Sequence, residues 1–407
     1  MNRGSKTRIK SRYEVHNSNT KWRFHNKAIP KISSKLTDSI SKLKSHQIDR
    51  LFLGVIICLL MFGLVMVVSV SSESARFLNN DPYYFAKRQA IWAVISIIAM
   101  IFVSKIDYRK IQDKSLWILG MSVLFLVGVL IVGKTVNGGK RWIDLGFISF
   151  QPSEFAKLAL IIFLANSLSK NRDKLGDFKT GLLPHLAVVG VIASLIILEP
   201  HFSATFLILI TCMAMICVAG AKIKHLLLLA TPIIAGGVCL IAMSPYRVQR
   251  VLSFLDPFKD KLGDGYQVIQ SLYAIGSGGL FGLGLGKSRQ KFLYIPEPHN
   301  DFIFSILCEE LGWIGAIFMI SLFIILIWWG ISIAMRAPDR FSCLFIFGMM
   351  TLIAVETIIN ISVVTSSMPV TGMPLPFFSY GGTSLLFLMI GMGIILNISR
   401  YTTRSGN

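Results

Sequence analysis

Apolar runs of about 20 residues, parted by short polar stretches, recur from Leu51 almost to the C-terminus. Each is long enough to cross a bilayer core as a helix, with its backbone hydrogen bonds closed internally. Spans are predicted at about Leu51–Ser71, Ala86–Ser104, Leu116–Val132, Pro152–Leu168, Leu182–Leu198, Phe202–Gly220, Leu226–Met243, Phe302–Ile333, Phe341–Val364 and Thr383–Ile398, ten in all. The expected fold is therefore an all-α polytopic membrane protein, its membrane domain covering residues 51–400. An even number of spans brings the 401–407 tail back to the side of the N-terminus. The longest connection, residues 244–301 between spans 7 and 8, is too long for a bare linker, and such loops are usually functional. Within it, Val268, Ile269, Leu272 and Tyr273 have helical spacing and predict an amphipathic piece over Tyr266–Ile275, lying on the bilayer surface.

Composition agrees with this reading: 53% of the 407 residues are hydrophobic and 15% charged. The net charge of +20 is unevenly spread. Residues 1–50 hold thirteen Lys and Arg against Glu14, Asp38 and Asp49, and form a basic, mostly disordered tail with a short helix near Ile40. Such a tail keeps the N-terminus cytoplasmic and touches anionic membrane lipid. It contains no nucleic-acid reader module, so no nucleic-acid partner is expected. Its length also argues against a cleaved signal peptide. Lys105, Arg109, Lys110, Lys114, Lys170, Arg172, Lys174, Lys179, Lys222, Lys224, Arg336 and Arg340 fall in loops assigned inside, whereas Glu199–His201 and Thr365–Gly382, assigned outside, hold no Lys or Arg. Arg76, Lys87, Arg88, Lys134, Lys140 and Arg141 sit outside against that trend. The six cysteines lie in or beside apolar runs without metal-ligand spacing and read as small buried residues.

Polar groups that break the apolar pattern are the candidates for chemistry. Pro296-Glu297-Pro298-His299-Asn300-Asp301 closes the long loop and opens a span, so Asp301 stands where water meets membrane. A carboxylate there is either a helix cap or a functional group. Pro152 and Glu154 suit the first turn of span 4, but Lys157 has no role at a helix N-terminus. Glu154 and Lys157, at i and i+3, can pair, and the face carrying them should line the bundle interior or an aqueous cavity. Lys140, Arg141 and Trp142 form either an interfacial anchor or a phosphate- and sugar-binding patch. Arg88 adds an outer cation, and Arg247 and Arg250 share one helical face. The glycines of Gly276–Gly286 serve either a flexible hinge or a close approach of backbone N–H groups to a pyrophosphate. Glu309 and Glu310 also fall in an apolar region; since Leu311–Ile333 alone is long enough to span, residues 302–310 are expected to line an outer vestibule where both carboxylates stay wet. The Pro/Gly-dense stretch from Met368 through Thr383, with Ser379 and Gly381, cannot be helical throughout and is either a re-entrant turn or a cavity wall. An outer cavity holding cations and carboxylates fits an amphiphile with an anionic headgroup, with Asp301 as general base for chemistry on a sugar.

Arg141-Trp142-Ile143-Asp144-Leu145-Gly146, Gln151-Pro152-Ser153-Glu154-Phe155-Ala156-Lys157, Tyr246-Arg247-Val248-Gln249-Arg250, Pro296 through Phe302, Glu309-Glu310-Leu311-Gly312 and Pro369-Val370-Thr371-Gly372 through Gly382 resemble the SEDS (shape, elongation, division and sporulation) family. The resemblance covers roughly Leu51 to Arg400 and is strongest to the FtsW/SpoVE branch, with RodA-like proteins as further relatives. It implies a ten-helix peptidoglycan glycosyltransferase that adds the disaccharide of undecaprenyl-pyrophosphoryl lipid II to a nascent glycan strand at the outer face of the bacterial cytoplasmic membrane. It further implies a class B penicillin-binding protein, a transpeptidase, as partner, together with other division or sporulation proteins. By resemblance Asp301 is the catalytic carboxylate, Glu154 and Lys157 face it across the cavity, and Arg88, Trp142 and Arg247 are cavity or headgroup contacts. Glu199-Pro200-His201-Phe202-Ser203 departs from an Asp-x-Gly-Thr pattern seen in many members, so His201 inherits no role. The leaving pyrophosphate needs cations or a divalent metal such as Mg or Mn. Two other classes fit parts of the pattern. A lipid flippase predicts polar cavity residues across the whole bilayer depth, and a non-catalytic division scaffold predicts that Asp301→Asn keeps function.

Overall fold

The computed structural model describes residues 48–402 apart from 137–138, 145, 147–148, 223, 226–230, 232–234, 240–241, 244, 261–262, 264 and 293, and at 136, 245–247 and 260 it describes the backbone only. The basic tail, much of the expected seventh span and all of the C-terminal tail beyond Thr402 lie outside the described residues.

The apolar runs become helices α1 (Arg50–Asn79), α2 (Tyr84–Lys105), α3 (Tyr108–Asp113), α4 (Ser115–Val132), α5 (Pro152–Lys170), α6 (Leu183–Leu198), α7 (Phe202–Val218), α8 (Pro245–Leu255), α9 (Tyr266–Ser277), α10 (Ile303–Met335), α11 (Arg340–Val364) and α12 (Gly382–Ser399). Among the described residues seven helices are long and apolar enough to cross a membrane. These are α1, α2, α4, α6 with the π-helical turn Phe178–Leu182 before it, α10, α11 and α12. Helix α7 is apolar but shorter, and α5 carries Glu154 and Lys157.

Local chemistry sets the helix ends. The Asp49 carboxylate accepts from the N–H groups of Leu51 and Phe52 at the start of α1, and Asp339 does the same for Ser342 in α11. Pro152 opens α5, where a missing N–H costs nothing. Gly312 interrupts α10 with φ 67 and ψ −165, dividing it into 303–311 and 313–335. A Cβ there would stand 2.4 Å from the Gly282 nitrogen, so the close approach requires glycine.

Helices α11 and α12 form the centre, each with 67% of its most apolar stretch buried against 22% for α2. Helix α12 lies along α2, α10 along α11, α5 along both α4 and α11, and α7 along α11. Where α1 begins and α12 ends, Trp329 Nε1 donates to Asp49 and the Asp49 N–H to Ser399 Oγ; Tyr108 Oη donates to Asp339 Oδ2 at 2.5 Å.

Four expectations are corrected. The chain is not wholly helical: β1 (Lys134–Val136), β2 (Gly139–Asp144) and β3 (Ser149–Phe150) form a small antiparallel sheet in order β1-β2-β3, so Arg141 and Trp142 stand on a strand. Lys134 pairs with Trp142 and Ile143 with Phe150 across it. Glu309 and Glu310 do not stay wet; both are fully buried. Glu310 accepts from Ser69 Oγ and the Ser288 N–H and faces Lys291 at 3.7 Å, and Glu309 accepts from Ser288 Oγ and the N–H groups of Arg289 and Gln290. The glycine-rich stretch is neither a hinge nor an open phosphate cradle. Leu283 and Gly284 donate to the Glu309 and Glu310 carbonyls, and Trp313 and Ile314 donate back to Gly279 and Leu280. Carbonyls freed by the Gly312 break are thus satisfied by the loop. Helix α9 forms as its spacing predicts, but it packs on α10 and α11, with Ser271 Oγ donating to the Val364 carbonyl at 2.7 Å, rather than lying apart on the membrane.

Candidate active site

The interior face of α5 carries a buried ion cluster. Lys157 Nζ lies 2.9 Å from Glu154 Oε2 and 3.5 Å from Glu356 Oε1 of α11. All three side chains are nearly inaccessible. The i,i+3 spacing predicted the first contact; the second joins positions 199 residues apart. Glu356 was missed, although it is the lone charged group of an apolar run and could have been flagged by its transfer cost alone. Ser153 Oγ sits 3.4 Å from His201 Nδ1, and burial together with the nearby Arg141 and Lys157 charges pushes the His201 pKa down to about 3, keeping the ring neutral.

One turn beyond Glu356 on the same face of α11, Asn360 Nδ2 donates to the backbone carbonyls of Asp301 (2.8 Å) and Met373 (2.7 Å). That side chain ties the end of the long loop to the Pro/Gly-dense loop. Asp301 does not cap α10: the N-cap is Phe302, and no side-chain cap bond forms. The carboxylate instead faces Gly372, whose φ of 64 suits glycine and whose added Cβ would lie 3.3 Å from Asp301 Oδ2. Arg250 of α8 reaches the same loop, donating to the Val370 carbonyl at 3.1 Å. Burial, with Glu297 adding to it and Arg250 opposing, raises the Asp301 pKa from 3.8 to about 6. At the neighbouring residues Ser203 Oγ of α7 donates to the Thr371 carbonyl, and Thr371 Oγ1, Thr357 Oγ1 and Asn360 Oδ1 are buried without partners among the described residues.

The remaining candidates separate into two groups. Arg141 is held beside the site: its Nε and Nη2 donate to the Glu199 and Pro200 carbonyls at 3.2 and 2.6 Å. Glu199, also missed, is fully buried with both carboxylate oxygens unpartnered among the described residues; burial raises its pKa to about 8 against the pull of Arg141. Trp142 follows on β2, half-buried. Arg88 and Ser379 instead support the loops. Arg88 lies 4.7 Å over the Tyr84 ring and reaches Tyr380. Gln89, beside it, donates to the Ser379 carbonyl and accepts from the Gly381 N–H. Ser379 Oγ accepts from the Leu375 N–H, which makes it a turn residue. His299 stacks on Phe85 at 4.3 Å, and its carbonyl accepts from the Tyr380 N–H, so the loop ending at Asp301 is braced from both sides. Arg247 lies on α8, where the structure describes only its backbone.

The site thus offers one carboxylate of raised basicity, a fixed neighbouring guanidinium, and a buried lysine–carboxylate cluster along the same helix face. The family model for FtsW/RodA/SpoVE cell cycle proteins matches residues 49–404. The chain belongs to that family. It is 45% identical over 356 residues to stage V sporulation protein E of Bacillus subtilis (strain 168), covering 87% of this chain and 97% of that one. It is 38% identical over 353 residues to a probable peptidoglycan glycosyltransferase FtsW of Geobacter sp. (strain M18), covering 86% and 96%. Among solved structures, a chain of a peptidoglycan synthase complex that coordinates polymerization and crosslinking matches with a TM-score of 0.73 at 29% identity, over 87% of this chain and 98% of that one. The rod shape determining protein RodA of Thermus thermophilus matches with a TM-score of 0.65 at 26% identity, over 88% and 98%. Helix α11 links the segments: Glu356 meets Lys157 of α5, and one turn on Asn360 holds the backbone of Asp301 and of Met373 in the Pro/Gly-dense loop.

Proposed function

We propose that the protein is a peptidoglycan glycosyltransferase that polymerises lipid II at the outer face of the cytoplasmic membrane. The observation that carries this is Asp301: a half-buried carboxylate, uncommitted to capping, its backbone held by Asn360 and its side chain facing Arg250 and Gly372. The family relatives named peptidoglycan glycosyltransferases support the same reading.

In this scheme an acceptor sugar hydroxyl lies against Asp301 and passes its proton to the carboxylate as the oxygen attacks the anomeric carbon of the donor. The glycosyl C–O bond to the lipid pyrophosphate breaks, and the pyrophosphate departs with its electron pair. It needs little acid assistance, but its charge needs cations. Arg250 donates to the Pro/Gly-dense loop, Arg141 is fixed on the Glu199–Pro200 turn, and Lys157 lies between two carboxylates. With a pKa near 6, Asp301 is largely ionised at neutral pH yet more basic than an ordinary aspartate. A single displacement inverts the anomeric carbon, taking an α-linked lipid pyrophosphate to a β-linked glycan. Among the described residues no three His, Cys, Asp or Glu side chains converge to hold a metal ion.

The accompanying topology has ten spans, both termini cytoplasmic, and the 244–301 loop outside, which the Lys/Arg distribution between short loops supports. A class B penicillin-binding protein is the proposed partner, in keeping with the structural match to a peptidoglycan synthase complex.

The test is polymerisation of purified lipid II by the protein with its transpeptidase partner, beside Asp301→Asn. Glycan strands from the wild type and none from a variant that still folds and binds its partner support the scheme. Equal polymerisation by both removes Asp301 from the chemistry. Movement of lipid II across vesicles without polymer replaces the enzyme with a transporter, and a product of retained configuration overturns the single displacement.

A further inference from the structure

The loop between α9 and α10 presents Leu280, Phe281 and Leu285 outward, with 66%, 78% and 53% of their surface exposed. Their backbone is not loose: residues 279–284 are pinned across the break in α10 by four main-chain hydrogen bonds of 2.9–3.2 Å, to Glu309, Glu310, Trp313 and Ile314. A rigidly held apolar patch of this kind marks an interaction surface.

The occupant follows from where the patch is attached. Residues 313–335 of α10 form the unbroken spanning helix, roughly 34 Å long at 1.5 Å per residue, close to the thickness of a bilayer core. Trp313 therefore stands at one membrane interface, as aromatic residues commonly do, and Arg336 at the other. Trp313 and Ile314 are themselves half exposed and begin the outward face that continues through Ile317 and Phe318. Since Trp313 and Ile314 bond directly to Gly279 and Leu280, the loop patch prolongs that lipid-facing surface at interfacial depth. Lys287 and Arg289 follow immediately, both exposed, while Ser288 between them is buried on Glu309 and Glu310. Apolar side chains below with cations just beyond is the pattern of an interfacial anchor for anionic lipid.

We infer that residues 279–289 are a membrane-dipping clip: Leu280, Phe281 and Leu285 enter the adjacent leaflet, and Lys287 and Arg289 engage anionic headgroups. The clip sets the height above the bilayer of the loop that ends at Asp301. It stands whether or not the proposed glycosyl transfer is correct.

The test uses the full chain in vesicles of equal phosphatidylglycerol and phosphatidylcholine, with a photoreactive benzoylphenylalanine at position 281. The same residue at Ile317 reports a lipid-facing site, and at Lys140 a polar-loop site. We expect phospholipid adducts at 281 comparable to those at 317 and several-fold above those at 140, unchanged when the transpeptidase partner is added. Lys287→Gln combined with Arg289→Gln should lower the phosphatidylglycerol share of the adducts at 281, with a ceiling of roughly thirtyfold for two cations at an anionic surface. Adducts at 281 that are chiefly protein, with the partner or a second copy, would overturn the inference, as would no adduct at 281 while 317 labels lipid.

Discussion

Replacing Asp301 by Asn should abolish polymerisation yet make the folded protein more stable at neutral pH. Burial raises this carboxyl from 3.8 to about 6, so the folded chain binds the proton more tightly than the unfolded chain does. The group's contribution to stability is then most favourable below pH 4 and is lost as pH rises through 6. At 1.36 kcal/mol per pH unit the interval between those values corresponds to about 3 kcal/mol, an upper figure because Asp301 keeps some contact with solvent. Asparagine carries no such cost, and the Asn360 bond survives because it goes to the backbone carbonyl. Thermal unfolding of wild type and variant should be followed in one detergent from pH 4 to 7.5. The variant should unfold a few degrees higher at pH 7.5, the two curves converging toward pH 4. A variant less stable than wild type at pH 7.5, or a gain that does not change with pH, would refute the reasoning that desolvation tunes this carboxylate.

Three further outcomes follow from the same contacts. Lys157→Met leaves Glu154 and Glu356 buried without their shared cation and should cost about 3–5 kcal/mol in denaturant unfolding, whereas Glu356→Gln, which keeps the 2.9 Å Glu154 pair, should cost less. Arg250→Gln removes the charge that opposes the rise at Asp301, so the acid limb of the polymerisation pH profile should move to higher pH; a limb that stays in place would break that link. Gly312→Ala places a Cβ 2.4 Å from the Gly282 nitrogen at φ 67, and should lower the melting temperature and speed proteolysis of the 279–291 loop.

The sequence by itself determined the helices, because the cost of burying polar groups in a bilayer acts on each run of about 20 residues alone. The observed ends of α2, α4, α11 and α12 fall within one or two residues of the apolar runs that predicted them. It also determined what is local along the chain: the Glu154–Lys157 pair at i,i+3, the sufficiency of the run from Leu311 to Ile333 to span, and the exceptional position of Asp301 between loop and membrane. Only the tertiary structure decided which distant groups meet. Glu356 joins Lys157 and Asn360 holds Asp301 because α11 packs against α5 and the loop end, an arrangement no periodicity encodes. The same limit explains Glu309 and Glu310. Whether a carboxylate stays in water or is buried depends on the partners that reach it, and theirs come from α1 and from a loop about twenty residues upstream. Hydropathy is a property of one segment, whereas the pairing of buried charge is a property of two.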